Sequence, residues 1–213
     1  AEVNAAIFYS QYDDLQTSAF DGVAGFTVGN AGSAITQGLE LSGRWLIARG
    51  LTIAGQFAYL DASYDDFKNA GCSQYDSKFT DKCVDGVADI SGEPLPFAPD
   101  YSANISIGYV APVGENLEFT GALDVMYTDS FYTAQDLDPY TRVNYYSKTN
   151  LRLGIGGANG TWQVAVLGRN IFDKRTVGWA NDISFQGMPG RENTYAALLD
   201  APRTVGIQGR YRF

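Results

Sequence analysis

The chain has 213 residues, 45% of them hydrophobic, with a formal net charge of −9 and no histidine. The charge argues against nucleic acid or an anionic membrane leaflet as a partner, and the missing imidazole removes Ser-His-Asp and Cys-His catalysis and the commonest ligand for zinc, copper and nickel. No run of about 18 apolar residues exists, which excludes a membrane-spanning helix but not a barrel, whose strands are only half apolar.

The pattern along the chain is alternation with a period of two, the signature of strands with unlike faces. A first strand is expected over residues 2–12, with Val3, Ala5, Ile7 and Tyr9 on one face. It ends at Asp13-Asp14, and a loose glycine-bearing segment leads to about Gly32. The second strand covers about 35–47, where Leu39, Leu41, Gly43, Trp45 and Ile47 alternate with Gly38, Glu40, Ser42, Arg44 and Leu46. A tight turn at Ala48-Arg49-Gly50 opens the third, in which Leu51, Ile53, Gly55, Phe57 and Tyr59 share a face. That strand fades at Tyr64-Asp65-Asp66, and an acidic loop over 67–97 follows, holding Cys72 and Cys83. One local disulfide in an oxidising compartment is favoured over two free thiols.

The fourth strand sets Tyr101, Ala103, Ile105, Ile107 and Tyr109 against Ser102, Asn104, Ser106 and Gly108. After a short turn at 112–116, the fifth opposes Leu117, Phe119, Gly121, Leu123, Val125 and Tyr127 to Glu118, Thr120, Ala122, Asp124, Met126 and Thr128. A tyrosine-rich loop runs from about Phe131 to Tyr145. In the sixth strand Leu151, Leu153 and Ile155 oppose Asn150, Arg152, Gly154 and Gly156, and Gly157-Ala158-Asn159-Gly160 turns the chain. The seventh has Trp162, Val164, Val166 and Gly168 on one face. A long loop over about 176–201 leads to the last strand, 203–213, where Val205, Ile207, Gly209, Tyr211 and Phe213 oppose Thr204, Gly206, Gln208, Arg210 and Arg212.

Eight strands therefore alternate between short turns and long loops. A soluble β-sandwich alternates apolar and polar residues too, but sorting short turns to one end and long loops to the other matches a transmembrane antiparallel β-barrel. Trp45, Tyr109, Trp162 and Tyr211 fall at the short-turn end, and Tyr59, Tyr101 and Tyr127 at the other, as two aromatic girdles. Tyr101 to Tyr109 spans roughly 26 Å of strand, or about 19 Å of membrane at a tilt near 45°.

Several features invite a chemical reading and have a plainer one. The glycines of 154–160 brush against a dinucleotide fingerprint, but no helix follows. The Asp13-Asp14 and Asp65-Asp66 pairs are solvated strand ends, since adjacent strand residues point to opposite faces. Asp76, Asp81, Asp85, Asp89 and Glu93 lack the spacing of a calcium loop. Inward-facing Glu40, Arg44, Glu118, Asp124, Arg152, Arg169, Arg210 and Arg212 read first as a hydrated wall whose charges satisfy one another, and second as a surface that grips a plug or a passing ligand. Neither a metal nor a cofactor is expected. The candidate ligand-binding residues are the loop aromatics Phe131, Tyr132, Tyr140, Tyr145, Tyr146, Trp179, Phe185 and Tyr195, which offer large contact area at low entropic cost; rings merely packing the loops together is the competing reading.

Four stretches carry a family resemblance. Asn30-Ala31-Gly32 followed by Gly38-Leu39-Glu40-Leu41, then Leu95-Pro96-Phe97-Ala98-Pro99-Asp100-Tyr101, Asn170-Ile171-Phe172-Asp173-Lys174, and Pro202 through Phe213 resemble, in order, strand entries and the closing strand of the TonB-dependent outer-membrane receptors. The resemblance implies a 22-stranded barrel in the bacterial outer membrane, closed around an N-terminal plug and energised by TonB. It implies active uptake of a scarce nutrient, an iron chelate, cobalamin or a saccharide, with no chemistry on the substrate and hence no enzyme. Eight strands without a plug or TonB-box segment read as the C-terminal third of such a barrel. The chain also shows no signal peptide and begins almost directly in a strand, so it is expected to be a mature form or a piece of something longer. The implied partners are membrane lipid, the rest of the barrel, the plug, the TonB complex and the assembly machinery. For that machinery, Val205, Ile207, Tyr211 and Phe213 resemble the terminal signal. The alternative is a complete eight-stranded barrel with a structural or adhesive role, its interior filled by side chains.

Overall fold

The computed structural model describes residues 1–20, 26–30, 32–182 and 194–213. In chain order it contains β1 (Glu2–Asp13), β2 (Gln16–Phe20), β3 (Phe26–Asn30), β4 (Ser33–Ala48), β5 (Leu51–Asp66), β6 (Ala70–Gly71), α1 (Gln74–Phe79) and β7 (Val87–Ala88). There follow β8 (Tyr101–Val113), β9 (Leu117–Thr128), β10 (Phe131–Tyr132), a 3-10 turn (Pro139–Thr141), β11 (Arg142–Val143), β12 (Tyr146–Gly157), β13 (Trp162–Arg169), β14 (Val177–Asp182), β15 (Tyr195–Leu199) and β16 (Thr204–Tyr211). The eight long strands make one antiparallel sheet in the order β1-β4-β5-β8-β9-β12-β13-β16, an up-and-down meander.

Register follows from the unlike faces. Ile105 stands opposite Val125, Leu123 opposite Leu151, and Val166 opposite Ile207. On the reverse face Ser106 stands opposite Asp124, and Gln163 opposite Arg210. A slip of one residue would exchange the two sets, so the pattern excludes it. The apolar face is left bare: Ile7, Trp45, Ile105, Val166 and Ile207 are all exposed. At its upper rim Tyr59 and Tyr101 are direct partners with ring centres 5.3 Å apart, and at the lower rim Trp162 is paired with Tyr211.

On the polar face, charged side chains bond to neutral partners. Ser106 Oγ donates to Asp124 at 2.5 Å, and Arg152 donates to Gln163 at 2.8 Å and to the Thr120 hydroxyl at 3.3 Å. The expectation that the inward charges satisfy one another is therefore corrected. The ion pairs among the described residues are Lys68–Asp66, Lys82–Glu93, Lys148–Asp200 and Arg175–Asp173, none of which joins two of the inward charges. Gly38 faces the same side opposite Phe8, where an added Cβ would stand 2.8 Å from Phe8 Cζ and run into the Tyr59 carbonyl. Only glycine lets that ring lie flat on the strand.

The sheet is open. Among the described residues β1 pairs only with β4 and β16 only with β13, so the eight strands do not close on one another as a complete small barrel would require. A buried apolar cluster lies under the long loops. Ala34, Tyr64, Phe67, Ala70, Ala88 and Ile90 form it, with Leu15, Cys72, Leu95 and Leu137 packed around it.

Periodicity located all eight sheet strands but left the loops featureless. The structure adds the hairpins β2–β3 and β14–β15 and the helix α1. β12 begins at Tyr146 rather than near Asn150, because Tyr146 to Thr149 continue the ladder with Val125 to Thr128 of β9. The last strand stops at Tyr211, leaving Phe213 beyond it and fully exposed.

Candidate functional site

The resemblance motifs turn out to be clamps where loops meet strands. Asn30 Oδ1 accepts the Gly32 N–H at 2.6 Å while its Nδ2 donates to Asp14 at 3.0 Å, closing the base of the first loop; Gly32 takes φ 79°. Leu95 N–H donates to the Ala62 carbonyl and Leu60 N–H to that of Asp100, so the proline-rich stretch wraps the top of β5 before entering β8. Asn170 and Asp173 both adopt positive φ, a region that Asn and Asp tolerate best among residues with a side chain. Asn170 Nδ2 donates to the Lys174 carbonyl at 3.0 Å, and Asp173 accepts the Arg203 N–H at 2.9 Å across the hairpin. The acid pairs at the strand ends serve likewise: Asp65 accepts from Ser33, and Asp66 pairs with Lys68.

These clamps hold up a folded cap. Tyr64 and Phe67, above the upper girdle, pack with ring centres 5.0 Å apart, and burial pushes the Tyr64 hydroxyl up to about 12. The stretch around 90–95 returns beside β5 through Tyr64 N–H to the Glu93 carbonyl and Gly92 N–H to the Tyr64 carbonyl. Cys72 and Cys83 are joined, as spacing led us to expect, with Cα atoms 5.7 Å apart. The disulfide straps α1, which starts at Ser73 because the Ser73 hydroxyl accepts the Asp76 N–H at 2.9 Å. Asp76 in turn accepts from Ser73 and Thr80, Asp89 accepts from Ser91, and Glu93 meets Lys82. These loop acids are thus engaged one by one, and no cluster of three metal-ligating side chains occurs among the described residues.

Loop joins loop through polar side chains. The Thr133 hydroxyl accepts the Ala180 N–H at 2.9 Å and lies 2.6 Å from the Ala180 carbonyl, tying the 129–145 loop to β14. Asp138 is fully buried and caps the 3-10 turn, accepting the Tyr140 N–H at 2.9 Å; it also accepts the Tyr75 N–H at 3.1 Å and the Tyr195 hydroxyl at 2.9 Å. At the foot of β14–β15, Lys148 donates to Asp200 at 2.6 Å and so holds that carboxyl below its usual range, with help from the Thr176 hydroxyl.

The candidate aromatics separate into groups. Tyr140 and Tyr195 lie 5.3 Å apart, and Tyr140 also meets Tyr75 at 6.2 Å, which meets Phe79 at 5.2 Å. Phe131 packs on Phe97, and Tyr132 lies under the Arg142 guanidinium. Tyr145 stacks on Tyr127 and extends the upper girdle. Tyr146 lies beneath the Lys148 ammonium, and Trp179 is half-buried opposite Leu198. Phe185 lies outside the described residues. Val205, Ile207 and Tyr211 share the exposed face of β16. Sequence reading missed Tyr75 and Phe79; the capping signal of Ser73 with Asp76 three residues on, beside two aromatics at helical spacing, could have found them.

Residues 1–171 match the family model described as TonB dependent receptor-like, β-barrel. Among solved structures, the ferric yersiniabactin uptake receptor FyuA from Yersinia pestis is 23% identical with a TM-score of 0.70, covering 99% of this chain and 27% of that one. The siderophore receptor PiuA from Acinetobacter baumannii is 18% identical with a TM-score of 0.67, covering 97% of this chain and 25% of that one. The chain thus spans about a quarter of the length of these structures. Strand order, an open sheet with one apolar and one polar face, and the family match agree, and the chain belongs to the β-barrel family of TonB-dependent receptors.

Proposed function

We propose that this chain is a C-terminal portion of a 22-stranded outer-membrane receptor that takes up a ferric siderophore without altering it, drawing energy from TonB through a plug domain. The observation that carries the reading is the open sheet. Both β1 and β16 leave a row of backbone N–H and C=O groups without a neighbouring strand. In hydrocarbon each unmet group costs several kcal/mol, so such edges persist only where further strands meet them. The matched structures are about four times longer, which leaves room for those strands and for a plug against the polar face, where Arg44, Arg169 and Arg210 are available to it.

On this reading the bare apolar face meets lipid, and β16 with the residues after it carries the signal for the assembly machinery in Val205, Ile207, Tyr211 and Phe213. The ligand arrives at the folded cap. A siderophore is preferred over cobalamin or a saccharide because FyuA is named a ferric yersiniabactin uptake receptor and PiuA a siderophore receptor.

Uptake tests it directly. The full-length receptor, expressed in cells lacking their own siderophore receptors, should import radioactive iron from ferric yersiniabactin or ferric enterobactin only when TonB is functional. Import of neither, from an assembled receptor, would overturn the siderophore assignment. Engineered cysteines in β1 and β16 test the barrel separately: efficient crosslinking between them would restore the small closed barrel.

A further inference from the structure

Resting on the reading that the cap receives the ligand, we infer that Asp138 is the positioning residue that joins three loops into a single aromatic ligand face. Its carboxylate is wholly buried and has no lysine or arginine in ion-pair range among the described residues. It is occupied by neutral donors. Oδ1 takes the Tyr140 N–H at 2.9 Å; Oδ2 takes the Tyr75 N–H at 3.1 Å and the Tyr195 hydroxyl at 2.9 Å. The latter two contacts bridge sequence separations of 63 and 57 residues, reaching the disulfide-strapped helix and the β14–β15 hairpin from the loop between them.

The three residues held by the carboxylate also supply three of the four rings of one row. Phe79, Tyr75, Tyr140 and Tyr195 form a continuous row with successive centres 5.2, 6.2 and 5.3 Å apart. Phe79 and Tyr140 are 63% and 64% exposed, while Tyr75 and Tyr195 are half-buried between them and the carboxylate. A row of rings contributed by three loops stays continuous only if the loops keep their relative positions, and Asp138 is the group that touches all three. Rings in fixed relation offer flat apolar area at little entropic cost, which fits a ferric chelate bearing aromatic or heterocyclic rings.

A carboxylate is needed because an ionised Asp accepts at both oxygens. Asparagine has the same shape but one acceptor. Whichever way its amide is turned, its NH2 faces a backbone N–H, that of Tyr75 or that of Tyr140.

Hydrogen exchange on the full-length receptor in outer-membrane vesicles tests the coupling without any ligand. Asp138→Ala should speed exchange at least tenfold in the 74–79 and 195–199 segments together, with the barrel still resisting unfolding in detergent. Tyr195→Phe should speed 195–199 and spare 74–79, which keeps the test decisive if the alanine variant fails to assemble. Faster exchange confined to the 133–141 loop would overturn the inference. In the uptake assay with ferric yersiniabactin and ferric enterobactin, Asp138→Asn should lower import at least tenfold at unchanged surface level. Tyr140→Leu should lower import while leaving exchange slow, since the backbone N–H at that position still donates to Asp138. Parental import with no loss in Asp138→Asn would also overturn the positioning role. If the parent imports neither chelate, the siderophore reading falls while the exchange result still decides the coupling.

Discussion

The wall and the cap of this molecule are built on opposite principles. The wall has long regular strands, a bare apolar face and a polar face stitched by hydrogen bonds between charged and neutral side chains, but no core of its own between layers. The cap has little regular structure, yet it contains the apolar cluster, the disulfide, a wholly buried carboxylate and all four ion pairs among the described residues or lies directly above them. On the proposed outer-membrane reading, water explains the difference. Segments that stand in water must bury apolar surface against one another to stay ordered, whereas a wall immersed in lipid gains nothing by hiding its apolar residues and is held by its backbone ladder.

The comparison predicts that the two regions fail independently. The largest effect should come from Phe67→Ala, which removes a buried ring from the cluster under the cap. Aromatic truncations of this kind cost about 3–5 kcal/mol. The loss should appear as protease sensitivity and fast exchange over 67–97, with barrel unfolding by denaturant unchanged; a matching shift in barrel unfolding would show that cap and wall are one cooperative unit.

The converse experiment strikes the wall. Ile105→Arg or Val125→Arg places a charge on the face assigned to lipid, at positions paired directly across β8 and β9. The cost near the midplane is about 2–4 kcal/mol, read as a lower denaturant midpoint of the assembled receptor with cap exchange preserved. A variant as stable as the parent would disprove the lipid-facing assignment.

Reducing Cys72–Cys83 should act on the cap alone. A loop of this length is worth about 3 kcal/mol in the chain-entropy model, and because β5 and β8 anchor both ends, the gain is local order around α1. Limited proteolysis between the cysteines should become rapid on reduction while barrel stability holds; stoichiometric labelling of both thiols in the unreduced protein would remove the bond from consideration.

The smallest effect is electrostatic. Lys148 lowers the Asp200 carboxyl from its ordinary 3.8, so the folded state binds that proton less readily than the unfolded one. The contribution is therefore complete above pH 4 or so and is lost as the pH falls through the lowered value. A partly exposed pair of this kind is worth roughly 0.2–1 kcal/mol. Asp200→Asn should therefore loosen β14–β15 modestly near neutral pH and make no difference in strong acid, as followed by exchange over 195–199.

Alternation with a period of two was sufficient to place all eight wall strands, because a strand with one apolar and one polar face records that difference residue by residue. The spacing and setting of Cys72 and Cys83 were enough for the disulfide, since a short loop keeps its ends close whatever surrounds it. The cap obeys no such local rule. Asp138 reads in the sequence as an ordinary turn residue ahead of a proline, and Tyr75 as one polar aromatic among many. Their meeting, like the division of the loop aromatics between a girdle pair at Tyr127 and Tyr145 and a surface row at Tyr75, Tyr140 and Tyr195, depends on which loops the meander brings together above the sheet. Alternation also left the edges of β1 and β16 undecided, and only the family resemblance pointed to their being open, because eight alternating strands pattern the same way whether they close on themselves or continue into neighbours. Tertiary structure alone decided these points, since each rests on contacts between segments whose separation along the chain carries no periodic trace.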